Sequence, residues 1–443
     1  MKSQTRVRGR WSFAVLTVGA LVLSGCSAGG LVGGADDEGG GGTLTFLADD
    51  SEASTALAKG LADAFEAAHE GVTVKVESRP QGSEGDNVIK TRLSTGDMSD
   101  VFMYNAGSLF QALHPAQKLV PLDRSADLGD VEDSFLKTVT DQGKVYGAPF
   151  GTAQGGGLLY NRAVYRDLGL KVPRTWDAFM ANNEKIKKSG RAPVIQTYED
   201  TWTAQLFVLG DFHNVAAADP HWADKYTKNQ VKYAQEPAIE GFRHLAELHK
   251  AGYYNKDFAS ANLTDGLELL AQGKGVQYPI LSGSLPGLTN AFPDKAKDVG
   301  FFPVPGDDAA KNGLTVWPGL AGVYVPKTTE GDKLDLAKEF VRFVASARGC
   351  TAQGKAYAPT GPYLVKGCTL PADVPPAVRD IKRYFDEGRT TPALEYLSPV
   401  KGPALEQICV EVGSGITSAD KGARLYDEDV KKQAQQLDLP GWQ

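Results

Sequence analysis

A glycine run set between two strand patterns constrains this chain more than any other feature. Residues 145–179 read VYGAPFGTAQGGGLLYNRAVYRDLGLKVPRTWDAF. Lys144-Val145-Tyr146-Gly147 alternates as a strand behind the turn Gln142-Gly143. Small residues over 148–154 lead into Gly155, Gly156 and Gly157, and Leu158-Leu159-Tyr160-Asn161 reads as a second strand. Glycine lacks a Cβ, so such a run lets the backbone turn sharply and lets other groups approach it closely. Two arrangements suit it: a tight hairpin inside one domain, or a crossing between two lobes beside a ligand. A helix is expected over 162–168 with Gly169 as its stop, then a helix 176–188 with Thr175 as N-cap.

The chain ahead of this stretch alternates strand and helix. Residues 43–48 alternate as a strand, and Leu57, Leu61, Phe65 and Ala68 then share one helical face. Gly71 stops that helix and 72–77 alternates again, a β-α-β unit that favours a parallel sheet. A second helix over 87–93 precedes a third strand, 101–104. Ligands of open α/β sheets sit beyond the carboxyl ends of the strands, which marks Asp49, Asp50, Ser51, Tyr104 and Asn105 as cleft residues. Further on, helices are expected over 236–250, 263–270 and 334–345. Strands are expected over 194–197 and 273–280, and 211–235 reads as irregular.

The N-terminus reads as an export signal. Lys2, Arg6, Arg8 and Arg10 precede an apolar run over 11–23, which is short for a membrane span. Leu23-Ser24-Gly25-Cys26 is similar to the lipobox of bacterial lipoproteins. That resemblance implies cleavage after residue 25, lipid on Cys26, and location on the outer face of the bacterial cell membrane. The Gly- and acid-rich 26–42 then forms a flexible tether. Loss of the four leader cations takes the formal net charge from −7 to −11. Such a surface disfavours nucleic acid and polyphosphate, which need a basic footprint, and leaves a neutral ligand open.

With Cys26 committed to lipid, Cys350, Cys368 and Cys409 remain. Three thiols cannot all pair within one chain. Cys350 and Cys368 bracket a segment carrying Gly and Pro, and a bridge there would contribute about 3 kcal/mol by closing a short loop. Cys409 falls in the apolar rhythm Leu405, Ile408, Cys409, Val412, Ile416 and is expected as a core residue. A 368–409 bridge and no bridge at all are the alternatives.

Taken together, Tyr146-Gly147-x-Pro149, Leu159-Tyr160-Asn161-Arg162, Leu168-Gly169-Leu170 and Pro173-x-Thr175-Trp176-Asp177-x-Phe179 carry a family resemblance by their order and spacing. They resemble the extracellular solute-binding proteins of ABC importers, in the sugar-binding group related to maltose-binding protein. Ser94-x-Gly96-Asp97-x-x-Asp100-Val101-Phe102 resembles the family as well. The resemblance implies a two-lobe α/β fold of the type II periplasmic-binding-protein class, with a cleft between the lobes and hinge crossovers near 151–157, 303–306 and 349–351. The lobes are expected as 43–152 plus 307–348 and 153–306 plus 349–443. It implies a monomer that takes a sugar or oligosaccharide and delivers it to the transmembrane subunits of a permease.

Sugar binding asks for aromatic faces on the C–H face of a pyranose, and for amides and carboxylates on its hydroxyls. Trp317, Trp202, Phe150, Gln154 and Asp200 are the residues expected to supply these. Asp49, Asp50, Ser51 and Asn105 join them from the strand ends, with Ser282 and Gly319. A non-sugar solute such as a peptide or polyamine suits the same fold.

Enzymatic readings find less support. His244 and His249 are five apart, not the four that place metal ligands on one helix face, and no Gly-x-Ser-x-Gly elbow occurs. A surface carbohydrate-active hydrolase needs two opposed carboxylates; Asp49 and Asp200 are the pair on offer. No cofactor and no metal are expected.

Overall fold

The computed structural model describes residues 42–443. The expected signal segment, Cys26 and the tether up to residue 41 lie outside these residues. The expected β-α-β start is present. β1 (Thr43–Asp49) pairs in parallel with β2 (Thr73–Arg79) and β3 (Val101–Asn105). The helix Glu52–Glu66 between β1 and β2 begins at Ser51, whose hydroxyl accepts the Ser54 N–H, and buries Leu57, Leu61 and Phe65. Ala68 falls past its end.

A two-stranded ribbon, β4 (Thr140–Asp141) and β5 (Lys144–Val145), precedes β6 (Gly147–Phe150) and β7 (Gln154–Asn161). There follow β8 (Ala192–Val194), β9 (Gly275–Leu281), β10 (Val299–Pro303), β11 (Leu314–Trp317), β12 (Ala321–Tyr324) and β13 (Thr390–Pro392). They build two sheets. The first has the order β2-β1-β3-β12-β6; the second runs β13-β11-β7-β9-β8, with β10 also paired to β7. Each sheet carries its own apolar core, the first around Phe46, Phe102 and Phe340, the second around Phe179, Phe207 and Phe302. These are the two lobes of the expected type II fold.

The chain leaves the first sheet at 151–153, between β6 and β7. Its return differs from expectation. β11 pairs antiparallel with β7, setting Thr315 opposite Gly156 and Trp317 opposite Gln154, so the chain stays in the second lobe through residue 317. The return is at 318–320, not at 307. The last crossing is displaced too. Cys350, Ala352, Leu364 and Val365 are buried in the first core, whereas Val374, Ala377 and Ile381 are buried beneath the second sheet. Residues 349–368 therefore belong to the first lobe. A disulfide joins Cys350 to Cys368, and Cys409 is a free, buried thiol.

The hinge expectations are corrected accordingly. Gly151 has φ 87° and Gly319 φ 101°, so a positive-φ glycine stands at each of the first two crossings. Gly155, Gly156 and Gly157 are no hinge: they lie in β7, the strand on which β9, β10 and β11 converge. Their missing side chains make room for rings. A Cβ on Gly156 would come within 2.3 Å of the Trp317 indole, and one on Gly157 within 2.8 Å of the Phe301 ring. The 303–306 stretch lies within the second lobe, where the Gly306 carbonyl accepts the Trp176 N–H at 2.8 Å.

Two local expectations also change. Part of 211–235 is helical, Phe212–Ala218 and Trp222–Thr227, in pieces too short for periodicity to reveal. Ile416 is 75% exposed, because the helix Leu405–Gly413 stops before it.

Gly156→Ala is expected to cost about 1–3 kcal/mol through overpacking against Trp317. Urea unfolding measures it; an unchanged midpoint would show that this contact does not set the sheet.

Candidate functional site

The carboxyl ends of β1, β3 and β6 converge on one cavity of about 270 Å³, with Asp49, Asn105 and Phe150 in its wall. These strands end together because β12 lies between β3 and β6, pairing Ala321 with both Asn105 and Phe150. Ser51 joins the wall at the start of its helix, Thr152 comes from the first crossing, and Gln154 from the start of β7. The opposite wall is the disulfide-closed segment, which contributes Gln353, Tyr357, Thr360 and Tyr363. Gly283, from the second lobe, completes it. The missing Gly283 side chain leaves room for the Gln154 amide, whose oxygen would lie 2.6 Å from a Cβ there.

The polar groups divide into those that build the wall and those left free. Asp49 uses Oδ1 to accept the Ser51 N–H at 3.0 Å and the Ser51 hydroxyl at 2.6 Å. Gln353 is buried, and its amide oxygen accepts the Gly151 N–H at 2.6 Å. Thr152 Oγ1 accepts the Thr360 N–H at 3.2 Å, tying the first crossing to the facing segment. Against these, Asp49 Oδ2, the side-chain amides of Asn105 and Gln154, and the hydroxyls of Tyr357 and Tyr363 have no hydrogen-bond partner among the described residues. Burial raises both phenols above the ordinary tyrosine range, for Tyr357 with help from the negative charge of Glu52. At neutral pH they are therefore protonated donors. Among the described residues no Lys or Arg lines this cavity.

A second chamber of about 460 Å³ shares Asn105 and Leu320 with the first. Its walls come from both lobes: Ser108 and Leu109 from the first, and Gln205, Glu395, Lys401 and Gln433 from the second. The lobes touch beside it, where a Cβ on Gly107 would come within 2.8 Å of the Glu395 carbonyl oxygen.

Of the expected ligand residues, Asp49, Ser51, Asn105, Phe150 and Gln154 stand in the first chamber. Six others do not, and each has a different occupation. Trp317 is 2% exposed; it packs on Gly156 and its Nε1–H donates to Glu395 at 2.5 Å. It sits one layer behind the second chamber and orients Glu395. Trp202 is packed against the apolar core beneath the second sheet. Asp200 accepts the Leu263 N–H at 2.7 Å and so anchors the helix Leu263–Gln272. Asp50 is exposed and accepts from Gln81 at 3.1 Å. Ser282 is fully buried and accepts the Gly155 N–H at 3.0 Å. Gly319 faces Phe135 and Leu364 in the first lobe. The sequence reading missed Tyr357, Tyr363 and Gln353. A signal for them existed in the Cys350–Cys368 bracket, which encloses two tyrosines among Gly and Pro.

Among the described residues no group of three or more His, Cys, Asp or Glu is placed to hold a metal ion.

The family model for bacterial extracellular solute-binding proteins matches residues 48–349. The chain belongs to that family. Among curated relatives, this solute-binding protein is 29% identical over 335 residues to the multiple sugar-binding protein of Streptococcus mutans, covering 73% of this chain and 76% of that one. It is 26% identical over 388 residues to the melibiose/raffinose/stachyose-binding protein MelE of Bacillus subtilis, covering 83% and 84%. Its fold matches that of a chitin oligosaccharide binding protein with TM-score 0.73 at 19% identity, covering 89% and 99% of the two chains. It also matches the binding protein RafE in complex with raffinose, with TM-score 0.70 at 20% identity, covering 87% and 99%.

The disulfide closes a loop of sequence separation 18 that carries Gln353, Tyr357 and Tyr363. Replacing both Cys350 and Cys368 by Ser should lower stability by about 2–4 kcal/mol. It should also speed amide hydrogen exchange over 353–363 while leaving the β7–β9 ladder protected. Unaltered exchange in that loop would mean the bridge does not hold the tyrosine wall.

Proposed function

We propose that this solute-binding protein is the ligand-capturing receptor of an ABC importer. It takes a sugar or oligosaccharide into the interlobe cleft and delivers it to the membrane permease. The observation that carries this reading is the first chamber's set of unpaired groups. Asp49 Oδ2, Asn105, Gln154, Tyr357 and Tyr363 offer acceptors and donors around the rings of Phe150 and the two tyrosines. A sugar hydroxyl both donates and accepts, and its C–H face lies well on a ring. A buried hydroxyl left unpaired costs about 1–3 kcal/mol, so this set selects for a polyol. The names of the relatives, multiple sugars for one and melibiose, raffinose and stachyose for the other, agree with it.

The protein acts as a receptor, not as an enzyme. The hydrolase pair offered by the sequence does not assemble, because Asp200 is spent on the Leu263 N–H and Asp49 is, among the described residues, the one carboxylate in the first chamber's wall. Closure of the lobes about 151–153 and 318–320 would let one ligand touch both, so binding shifts the population toward the closed form. Cys26 carries the lipid that holds a monomer at the outer face of the cell membrane. One further reading has a specific observation behind it. A chamber with a carboxylate and no cation in its wall also suits a polyamine.

Calorimetric titration separates these readings. A sugar panel should yield a ligand of about micromolar Kd, a net of about 8 kcal/mol. Tyr357→Ala should weaken it by about 1–2 kcal/mol through loss of a ring face and a donor. Binding of spermidine with a blank across the sugars would install the amine reading. Cys26→Ala should move the protein from the membrane fraction to the medium; retention at the membrane would reject the lipid anchor.

A further inference from the structure

The two chambers differ in build, and the difference bears on what the cleft takes. They adjoin, with Asn105 and Leu320 in the walls of both. The first chamber, with Phe150, Tyr357 and Tyr363, is the smaller, at about 270 Å³; the second, with Tyr396, is about 460 Å³. A ligand confined to the first would leave the larger space, with its own polar lining, unused. That lining is set for hydroxyls. Gln205 and Gln433 present amides that make no side-chain hydrogen bond among the described residues, and Glu406 makes no ion pair there. Leu109 and Leu437 stand at 37% and 36% exposure on opposite lobes and both line this chamber. They are two of the few large apolar side chains left that open to solvent, and they offer C–H surface to a sugar ring from either side.

Charge narrows the ligand further. Among the described residues the first chamber has Asp49 and no cation in its wall. The second has one cation, Lys401, and its Nζ is held 2.9 Å from Glu395 Oε2. Glu395 is itself fixed from behind by the Trp317 indole N–H. Lys401 is thereby neutralised where it stands. An acidic sugar would meet Asp49, Glu406 and Glu395 with no free positive partner, and a desolvated carboxylate without one binds poorly.

We infer that the ligand is an uncharged oligosaccharide long enough to occupy both chambers, with Gln205 and Gln433 reading its second end. This rests on the sugar-receptor reading above and specifies it. Phe150, Tyr357 and Tyr363 hold one end, Asn105 lies at the junction, and the amides of the second chamber set the preference for length. Trp317 acts there as a positioning residue, through Glu395 and Lys401.

The test is calorimetry on the full-length chain in detergent. The probes are ladders of one to four rings built from glucose, galactose or N-acetylglucosamine, with oligogalacturonides of equal length beside them. In the ladder that binds, affinity should rise about tenfold or more between the disaccharide and the three- or four-ring members. The oligogalacturonides should bind at least about tenfold more weakly than neutral sugars of the same length. Gln205→Ala and Gln433→Ala lie on half-exposed positions and should weaken the long sugar about fivefold to tenfold while leaving the disaccharide unchanged. Tyr357→Ala should weaken both. A mono- or disaccharide that binds as tightly as the longer members, or an oligogalacturonide that equals its neutral counterpart, overturns the inference and leaves the sugar receptor standing. Equal losses for short and long sugars in the Gln433 variant overturn it as well. A blank across every sugar removes the receptor reading and this inference together.

Discussion

The cleft depends on how the chain is held where it leaves the first sheet. Gly151 stands there with φ 87°, and its N–H is caught by the buried amide of Gln353 at 2.6 Å. The next contacts repeat the tie: Thr152 Oγ1 accepts the Thr360 N–H, and the Ala153 N–H donates to the Pro362 carbonyl at 2.9 Å. One short segment, 353–363, is thus fastened to the first crossing. A disulfide closes that same segment upon the first lobe. The tyrosines it carries face the strand ends of β1, β3 and β6 because of these bonds.

The second constraint works from the other lobe. β7 can receive β11 only because Gly156 offers no side chain to the Trp317 ring. Trp317 then directs its N–H to Glu395, and Glu395 holds Lys401. A packing contact in the sheet thereby sets the charge balance of a chamber it does not touch. Lobe architecture and ligand chemistry are linked through one indole.

Much of the fold is legible in the sequence because period-two strands and amphipathic helices alternate over residues 43–105. The strand-end rule found Asp49, Ser51 and Asn105 for the same reason: parallel strands bring their carboxyl ends to one edge. What sequence could not show is which ring fills which gap. The three glycines of β7 look like a loosened joint, yet they are space left for Trp317 and Phe301. Trp317, at the end of β11, turns to the core, and Trp202, half-buried in the helical turn Thr201–Gln205, packs against the core beneath the second sheet. Tyr357 and Tyr363 reach the cleft from some two hundred residues away along an irregular segment, where no periodicity points.

The central claim is that two lobes close on a ligand by bending at the crossings near Gly151 and Gly319. Small-angle X-ray scattering of the protein, free and saturated with the sugar that calorimetry identifies, tests it most directly. A smaller radius of gyration in the bound form is the predicted result. Saturation of the site with no change in radius would contradict the account.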